Sequence, residues 1–295
     1  MSVPVVSIIL PTQGTRESLG SALRSALAQD FEPFEIIIVD DAMPGVDWRA
    51  HPGITPYLTD PRVRVVPFHQ GRGCAAAKNA GWRAARGEWL CYLDDDNEYL
   101  PSKLRAQQAC ATRSRSPVVL CGVEILTKGR RRRKQTGEDE FSSDGLLLRT
   151  LADTNVLFHR RSAHARWNET ILTVDDACFF QALVAEYGLK RVPNVPEALV
   201  YYHAHAGPRA NRAAAQFYRG QRCLLVHGAK HFSPQARRVL LLRSLIAFNK
   251  FQRGQWLALA HRGWQLLRVG GWREWRVVVN AVGVKLPWLR DRMVT

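Results

Sequence analysis

The chain has 295 residues, 46% of them hydrophobic, enough to bury a core as one large domain or two modest ones. Forty-two Lys and Arg against 26 Asp and Glu leave a net charge of +16, which favours an anionic partner: nucleic acid, a phosphorylated small molecule or an acidic membrane face. The six cysteines (74, 91, 110, 121, 178 and 223) show no CxxC spacing and lie mostly in apolar stretches, which argues against a zinc or disulfide scaffold and for a reduced, cytoplasmic protein.

The opening "MSVPVVSIILPTQG" has no basic n-region and its apolar run stops at Pro11, so no signal peptide is expected. Residues 5–10 predict a short strand, and 18–29 a helix from the spacing of Leu19, Ala22, Leu23, Ala26 and Leu27. Strands follow at 34–41 and 62–68, a helix at 74–86, and a strand at 88–96 that ends in Asp94-Asp95-Asp96. Apolar strands alternating with helices predict an α/β fold whose parallel sheet is covered on both faces. Such sheets bind ligands beyond the carboxyl ends of their strands, which is where Asp40-Asp41 and Asp94–Asp96 fall.

A helix is predicted at 102–113 and a strand at 117–126, followed by the charged stretch "TKGRRRRKQTGEDE". A hairpin tip or mobile loop is favoured there over a nucleic-acid patch, because like-charge blocks are usually solvated. Residues 155–160 predict a strand, 173–188 a helix entered through Asp175 and Asp176, and 198–206 a last strand. From about residue 212 the pattern becomes helical only, dense in Arg, Leu and Trp, with no uninterrupted run of 18 apolar residues, so no spanning helix is expected.

Two short motifs fail or weaken on inspection. An EF-hand loop starting at Asp94 would need Gly and Glu where the chain has Tyr99 and Arg105. The run from Gly71 to Ala76 fits G-x-G-x-x-A and would suggest a nicotinamide-dependent oxidoreductase, but a dinucleotide fingerprint belongs to the first strand–helix turn, which here is "PTQGTRE".

The ordered series strand–"PT"–helix–strand–"VDD", then G-x-G, K-N-A-G, A-x-G-E and L-D-D-D-N, resembles the family 2 nucleotide-sugar glycosyltransferases over roughly residues 5–206. The resemblance implies a GT-A fold and an inverting transfer of one sugar, of hexosyl type, from a nucleoside-diphosphate donor, most commonly UDP-linked, to a hydroxyl of a glycan or lipid-linked acceptor. With the change of pattern near residue 212, the expected domains are a catalytic one at 1–211 (a nucleotide-sugar half to about 115, an acceptor half from 116) and a helical tail at 212–295. Pro11 and Thr12 correspond to the turn around the nucleoside, Asp40 to the acid on the base, Lys78 to a cation near base and phosphates, and Asp95 to the acid near the ribose. Asp96 corresponds to the metal ligand, with His205 a further candidate from "YYHAHAG". Physical chemistry agrees: carboxylates repel a diphosphate unless Mn²⁺ or Mg²⁺ stands between them. "WNETILTVDDACFF" resembles the family's base-bearing segment, which makes Asp176 the general base and Asp175 its support. A helix cap would use the same two acids. Gln13-Gly14 and Ala42-Met43 depart from the family's usual residues and leave the base identity open.

The stretches 233–252 and 255–275 set Arg and Lys against Leu and Trp. That pattern suits a helix lying on an anionic membrane surface, and equally a helical subdomain packed on the catalytic sheet; the first is favoured. The expected location is then the cytoplasm, peripheral on the inner membrane face, with no nucleic-acid partner.

Overall fold

The computed structural model describes residues 3–68, 71–127, 130–134, 137–144, 153–171, 175–204 and 233–234. The chain divides into two units, residues 1–170 with 175–207, and 171–174 with 208–295. Every element named here lies in the first. The two amphipathic stretches of the tail lie outside the described residues, save 233 and 234.

The first half alternates as the apolar spacing predicts: β1 (Val6–Thr12), α1 (Leu19–Leu27), β2 (Phe34–Asp40), β3 (Val63–Pro67), α2 (Cys74–Ala84) and β4 (Trp89–Tyr92). β1 and β2 are buried at every position, as continuous β-branched runs must be when both faces of a sheet are covered. The order β3-β2-β1-β4 is parallel throughout, and the register sets Thr12 beside Asp40 at one sheet edge.

The second half makes the sheet mixed. β5 (Asn97–Tyr99), α3 (Lys103–Ser114), β6 (Val118–Thr127), β7 (Arg130–Lys134), β8 (Glu140–Ser142), β9 (Phe158–Arg160), α4 (Asp175–Tyr187) and β10 (Arg191–His203) complete the elements. β9 joins β4 to β6, antiparallel to both. β10 runs parallel to β6 and antiparallel to β5 and β8. The predicted strand 88–96 stops at Tyr92, so Asp94–Asp96 occupy a turn before the chain crosses to β10 as β5. The arginine run forms the return strand of a hairpin with β6, where Arg131 and Arg133 flank the buried Glu124 at 3.6 Å each. β10 starts seven residues before the predicted 198; Pro193 and Pro196 hide it, and the register with β6 shifts between Val195 and Ala198, as prolines in a strand require.

α2 positions the site. Residues 75–81 of this helix are all buried, because it is covered by the sheet on one side and by the segment 153–169 on the other. Its small residues allow the close approach: a Cβ on Gly81 would meet Ile9 Cγ2 at 2.4 Å and Val39 Cγ2 at 3.0 Å. Those atoms belong to branched, fully buried side chains with no room to retreat. Gly81→Val should therefore destabilise the protein by about 1–3 kcal/mol or more, seen as a lower urea midpoint. An unchanged midpoint would mean that α2 lies further from the sheet.

Candidate active site

The carboxyl ends of β1, β2 and β4 bring three chain segments to one edge. Thr12 ends β1, and its hydroxyl donates to Asp95 Oδ2 at 2.7 Å while accepting from the Gly14 amide at 3.0 Å. Ser18, at the start of α1, donates from Oγ to the Asp95 carbonyl at 2.9 Å. Arg16 lies between them in sequence and spans the acids, with Nε 3.1 Å from Asp95 Oδ1 and a terminal nitrogen 3.0 Å from Asp96 Oδ2. Burial pushes the Asp95 carboxyl up to about 6; Asp96 and Asp94 add to this, against the pull of Thr12 and Arg16.

Asp40 ends β2 and is buried. Its carboxylate accepts from the Trp48 indole at 2.9 Å, from Arg49 at 2.7 Å and from the Ala42 amide at 3.2 Å, which folds the loop 42–49 back over the strand end. Gly14 fits this loop: it has φ +71°, and a Cβ there would lie 2.5 Å from Trp48 Cδ1. Asp41 Oδ1 accepts from the Gly71 amide at 2.8 Å. The glycine loop ahead of α2 thus turns that amide toward a carboxylate, the opposite of what a pyrophosphate cradle needs.

Lys78, expected near the base and phosphates, is buried behind the acidic turn. Its side chain is only 3% exposed, donates to Thr154 Oγ1 at 3.0 Å, lies 3.6 Å from Asp94 Oδ1 and sits 4.5 Å from the Trp167 ring centroid. Burial opposes its charge, but Asp94 and Asp175 more than offset this and hold the ammonium well above the usual lysine range.

The second half supplies the remaining acids. Asn155 ties them together: its amide nitrogen donates to Asp94 Oδ2 at 3.0 Å and to Asp153 Oδ1 at 2.7 Å, and its oxygen accepts from the Asp94 amide. Burial raises the Asp153 carboxyl, and Asp94 adds to it. Asp153 lines one recess with Thr154, Leu157, Trp167, Phe180 and Asp176. Asp176 lies in the first turn of α4 and accepts from the Ala177 amide at 2.7 Å. Burial, then the charges of Asp175 and Asp153, push the Asp176 carboxyl up to about 8.

Trp167 sets the position of this wall. Its ring stacks on Phe179 at 4.2 Å and meets Tyr92 edge-on. Asn79, next to Lys78, fixes its backbone by accepting from the Trp167 amide at 3.0 Å and donating to its carbonyl at 2.9 Å, and also donates to Glu169 Oε1 at 2.9 Å.

Of the residues expected from the sequence, Pro11, Thr12, Asp40, Asp95 and Asp96 stand at this sheet edge, and Lys78, Asp175 and Asp176 join it through the Asp94–Asn155–Asp153 chain. His205 lies outside the described residues. Its neighbour His203 is 3.0 Å from Glu98 Oε1. Sequence reasoning missed Arg16, Trp48, Asn79, Asp153 and Asn155 as site residues. Asn79 stands inside the quoted K-N-A-G motif and could have been found there, whereas the partners of the other four are set only by the fold.

Residues 7–184, more than half of the chain, match Glycosyl transferase family 2. The chain is 31% identical over 163 residues to the succinoglycan biosynthesis protein ExoO of Rhizobium meliloti (strain 1021), covering 55% of this chain and 45% of that one. It is 28% identical over 103 residues to the UDP-Glc:alpha-D-GlcNAc-diphosphoundecaprenol beta-1,3-glucosyltransferase WfaP of Escherichia coli, covering 35% and 39%. The chain thus matches less than half the length of these curated relatives. Among solved structures, S. aureus TarS 1-349 in complex with UDP-GlcNAc is similar in fold, with a TM-score of 0.67 at 19% identity over 94% of this chain and 79% of that one. With the family match laid over the acid-lined sheet edge, the chain belongs to glycosyl transferase family 2 and has a GT-A fold.

Proposed function

We propose that the protein moves one sugar from a nucleoside-diphosphate donor, with uridine the favoured base, to a hydroxyl of a glycan or lipid-linked acceptor, with inversion. The observation that carries this is the Asp94–Asn155–Asp153 hydrogen-bond chain, whose last acid lines the same recess as Asp176 of α4. WfaP, named for a UDP-glucose donor and a diphosphoundecaprenol acceptor, supports the lipid-linked alternative, and the UDP-GlcNAc complex of TarS supports the uridine donor.

The residues present suit a divalent cation. Asp95 and Asp96 converge on a single cationic group, Arg16, so their oxygens already face a common point. Mg²⁺ or Mn²⁺ at such a site would be held by one or two carboxylates and completed by phosphate oxygens. When bound, such an ion neutralises charge on the departing diphosphate. Asp176 takes the proton of the acceptor hydroxyl, which attacks the anomeric carbon from the face opposite the leaving group. A carboxylate raised to about 8 is a stronger base than an ordinary one, at the cost of being ionised only at the upper end of the neutral range.

Asp96→Ala should abolish Mn²⁺-dependent UDP binding in calorimetry while leaving the fold intact. Metal-dependent affinity that survives the change would place the ion elsewhere.

Asp176→Asn should retain UDP and metal binding but lose turnover by about 10²–10⁴-fold. The same variant should be more stable than the natural protein at neutral pH. Because the folded pKa lies above the unfolded value of 3.8, ionising Asp176 opposes folding. The penalty is absent below about pH 4, grows through the neutral range and is complete above about 8. Unfolding midpoints of the two proteins should therefore diverge from pH 4 to pH 8, and parallel curves would show that Asp176 is not forced into its place.

The tail completes the proposal as a peripheral anchor. Full-length protein should float with anionic liposomes, through about 1 kcal/mol per Lys or Arg at the surface plus an apolar term that salt does not screen. A form truncated near residue 232 should lose flotation and keep donor binding; flotation by the truncated form would exclude the tail as anchor.

A further inference from the structure

The fold carries the arginine run of β7 to the same end of the sheet as the acidic turn. β9 is antiparallel to both β4 and β6, and β10 is parallel to β6, so the carboxyl ends of β4, β6 and β10 point the same way. β7 begins at that end, with Arg130 opposite Thr127 and Arg131 opposite Leu126. One row across the sheet runs from Arg132 through Ile125 and Tyr202 to Asn97, the residue after Asp96. That is three strand spacings, about 14 Å between backbones, part of which an arginine side chain spans. The acids that follow the arginines in sequence are carried away, since Glu140 pairs with Pro193 near the start of β10. Arg131 and Arg133 each lie 3.6 Å from the buried Glu124, on one face of the strand. Side chains alternate along a strand, so Arg130 and Arg132 project from the other face, both exposed and about 7 Å apart. Holding four arginines in consecutive strand positions costs repulsion, which Glu124 offsets for two of them. A loop would let the four separate in water; the paired strand keeps them together as a surface for anions.

We propose that β7 is the phosphate-holding strand of the acceptor site: Arg130 and Arg132 bind the diphosphate of a lipid-linked acceptor while its sugar reaches the acidic turn. The proposal rests on the reading of the protein as a transferase for such an acceptor. A guanidinium meets phosphate oxygens through two parallel hydrogen bonds, and two guanidiniums on one strand face can converge on a single diphosphate. The length of the row from Arg132 to Asn97 leaves room for a sugar between the arginines and the turn. A diphosphate-linked acceptor would present its hydroxyl in that way. A membrane headgroup would bind the same guanidiniums, but nothing would then require them to stand a sugar's length from the acidic turn. Arg131 and Arg133, tied to Glu124, keep the strand in register when the acceptor leaves.

The test is calorimetry of the full-length protein with a short-chain alkyl diphosphate, at saturating UDP and excess Mg²⁺ so that the donor site is filled. Arg130→Gln/Arg132→Gln should bind the probe about three- to thirtyfold more weakly than the natural protein, the range for two exposed ionic contacts, with UDP affinity unchanged. The contacts of Glu124 are untouched in this variant, so the strand survives. Arg130→Lys/Arg132→Lys, which keeps the charge but loses the two-pronged geometry, should fall between them. Arg105→Gln/Arg113→Gln removes the same charge from exposed positions of α3 and should change nothing. A neutral alkyl glycoside of the same chain length should not distinguish the forms. Equal diphosphate affinity in Arg130→Gln/Arg132→Gln and the natural protein, or no binding to either, would overturn the role of β7, while retained UDP binding leaves the donor reading standing. No UDP binding by any form would overturn the donor reading and this proposal with it. An equal loss in the α3 variant would reduce the effect to net charge and overturn the proposal. Loss of flotation with phosphatidylglycerol vesicles while diphosphate binding persists would assign β7 to the membrane instead. Single-stranded DNA bound more tightly than the diphosphate, and released by the same variant, would assign it to nucleic acid; either result overturns the acceptor role.

Discussion

A buried ammonium among carboxylates is the constraint on which the rest of the site depends. Lys78 is almost wholly enclosed, and an unpaired charge in that position would cost far more than the fold could supply. It is tolerated because Asp94 lies 3.6 Å away, Asp175 contributes its charge, Thr154 accepts a hydrogen bond and the face of Trp167 covers it. The dependence runs both ways. Removing Asp94 would leave the Lys78 ammonium buried without its nearest carboxylate, a loss that typically costs about 3–5 kcal/mol, whereas Asp153 and Asp176 are held in place against the repulsion of their acidic neighbours. The acidic site and the helix that carries Lys78 therefore stand or fall together.

That mutual dependence explains why α2 is so small-residued. To present Lys78 and Asn79 inward, the helix has to be buried on its sheet side and on its 153–169 side at once, which Ala75, Ala76, Ala77, Ala80 and Gly81 allow. Asn79 then converts helix position into loop position, through both backbone groups of Trp167. The Trp167 ring passes the constraint to Phe179, three residues after Asp176 on α4. A path of packing and hydrogen bonds thus runs from the glycine-backed helix to the helix that carries the proposed base.

Much of this was legible in the sequence, and the divide between what was and what was not is physical. β1, β2 and α1 are declared by local periodicity, and the strand-end acids Asp40 and Asp94–Asp96 follow from where apolar runs stop. Asp176 is legible because a helix start and a base-bearing motif coincide there. The partners of Arg16 were not legible, since its two acids lie some eighty residues away, nor was the contact of Asn155 with Asp94, 61 residues back; Trp48 is only eight residues from Asp40, but the loop that folds it back has no periodic signal. The burial of Lys78 was not legible, because a lysine is normally solvated and only the tertiary packing of Trp167 and Thr154 encloses it. The first half of β10 was missed because Pro193 and Pro196 contradict the usual grammar of a strand, and the bulge that absorbs them is visible only against β6.

The three consecutive aspartates show how one short run can hold three different electrostatic states. Asp94, the most exposed of the three side chains, is matched by the buried Lys78, and Asn155 also donates to its carboxylate. Asp95 is fixed by a neutral donor, Thr12, and shares its second oxygen with Arg16. Asp96 is ion-paired to the half-exposed Arg16. The turn that interrupts β4 at Tyr92 lets the three side chains reach these different partners, because in a continued strand Asp94 and Asp96 would point to the same face and Asp95 to the other.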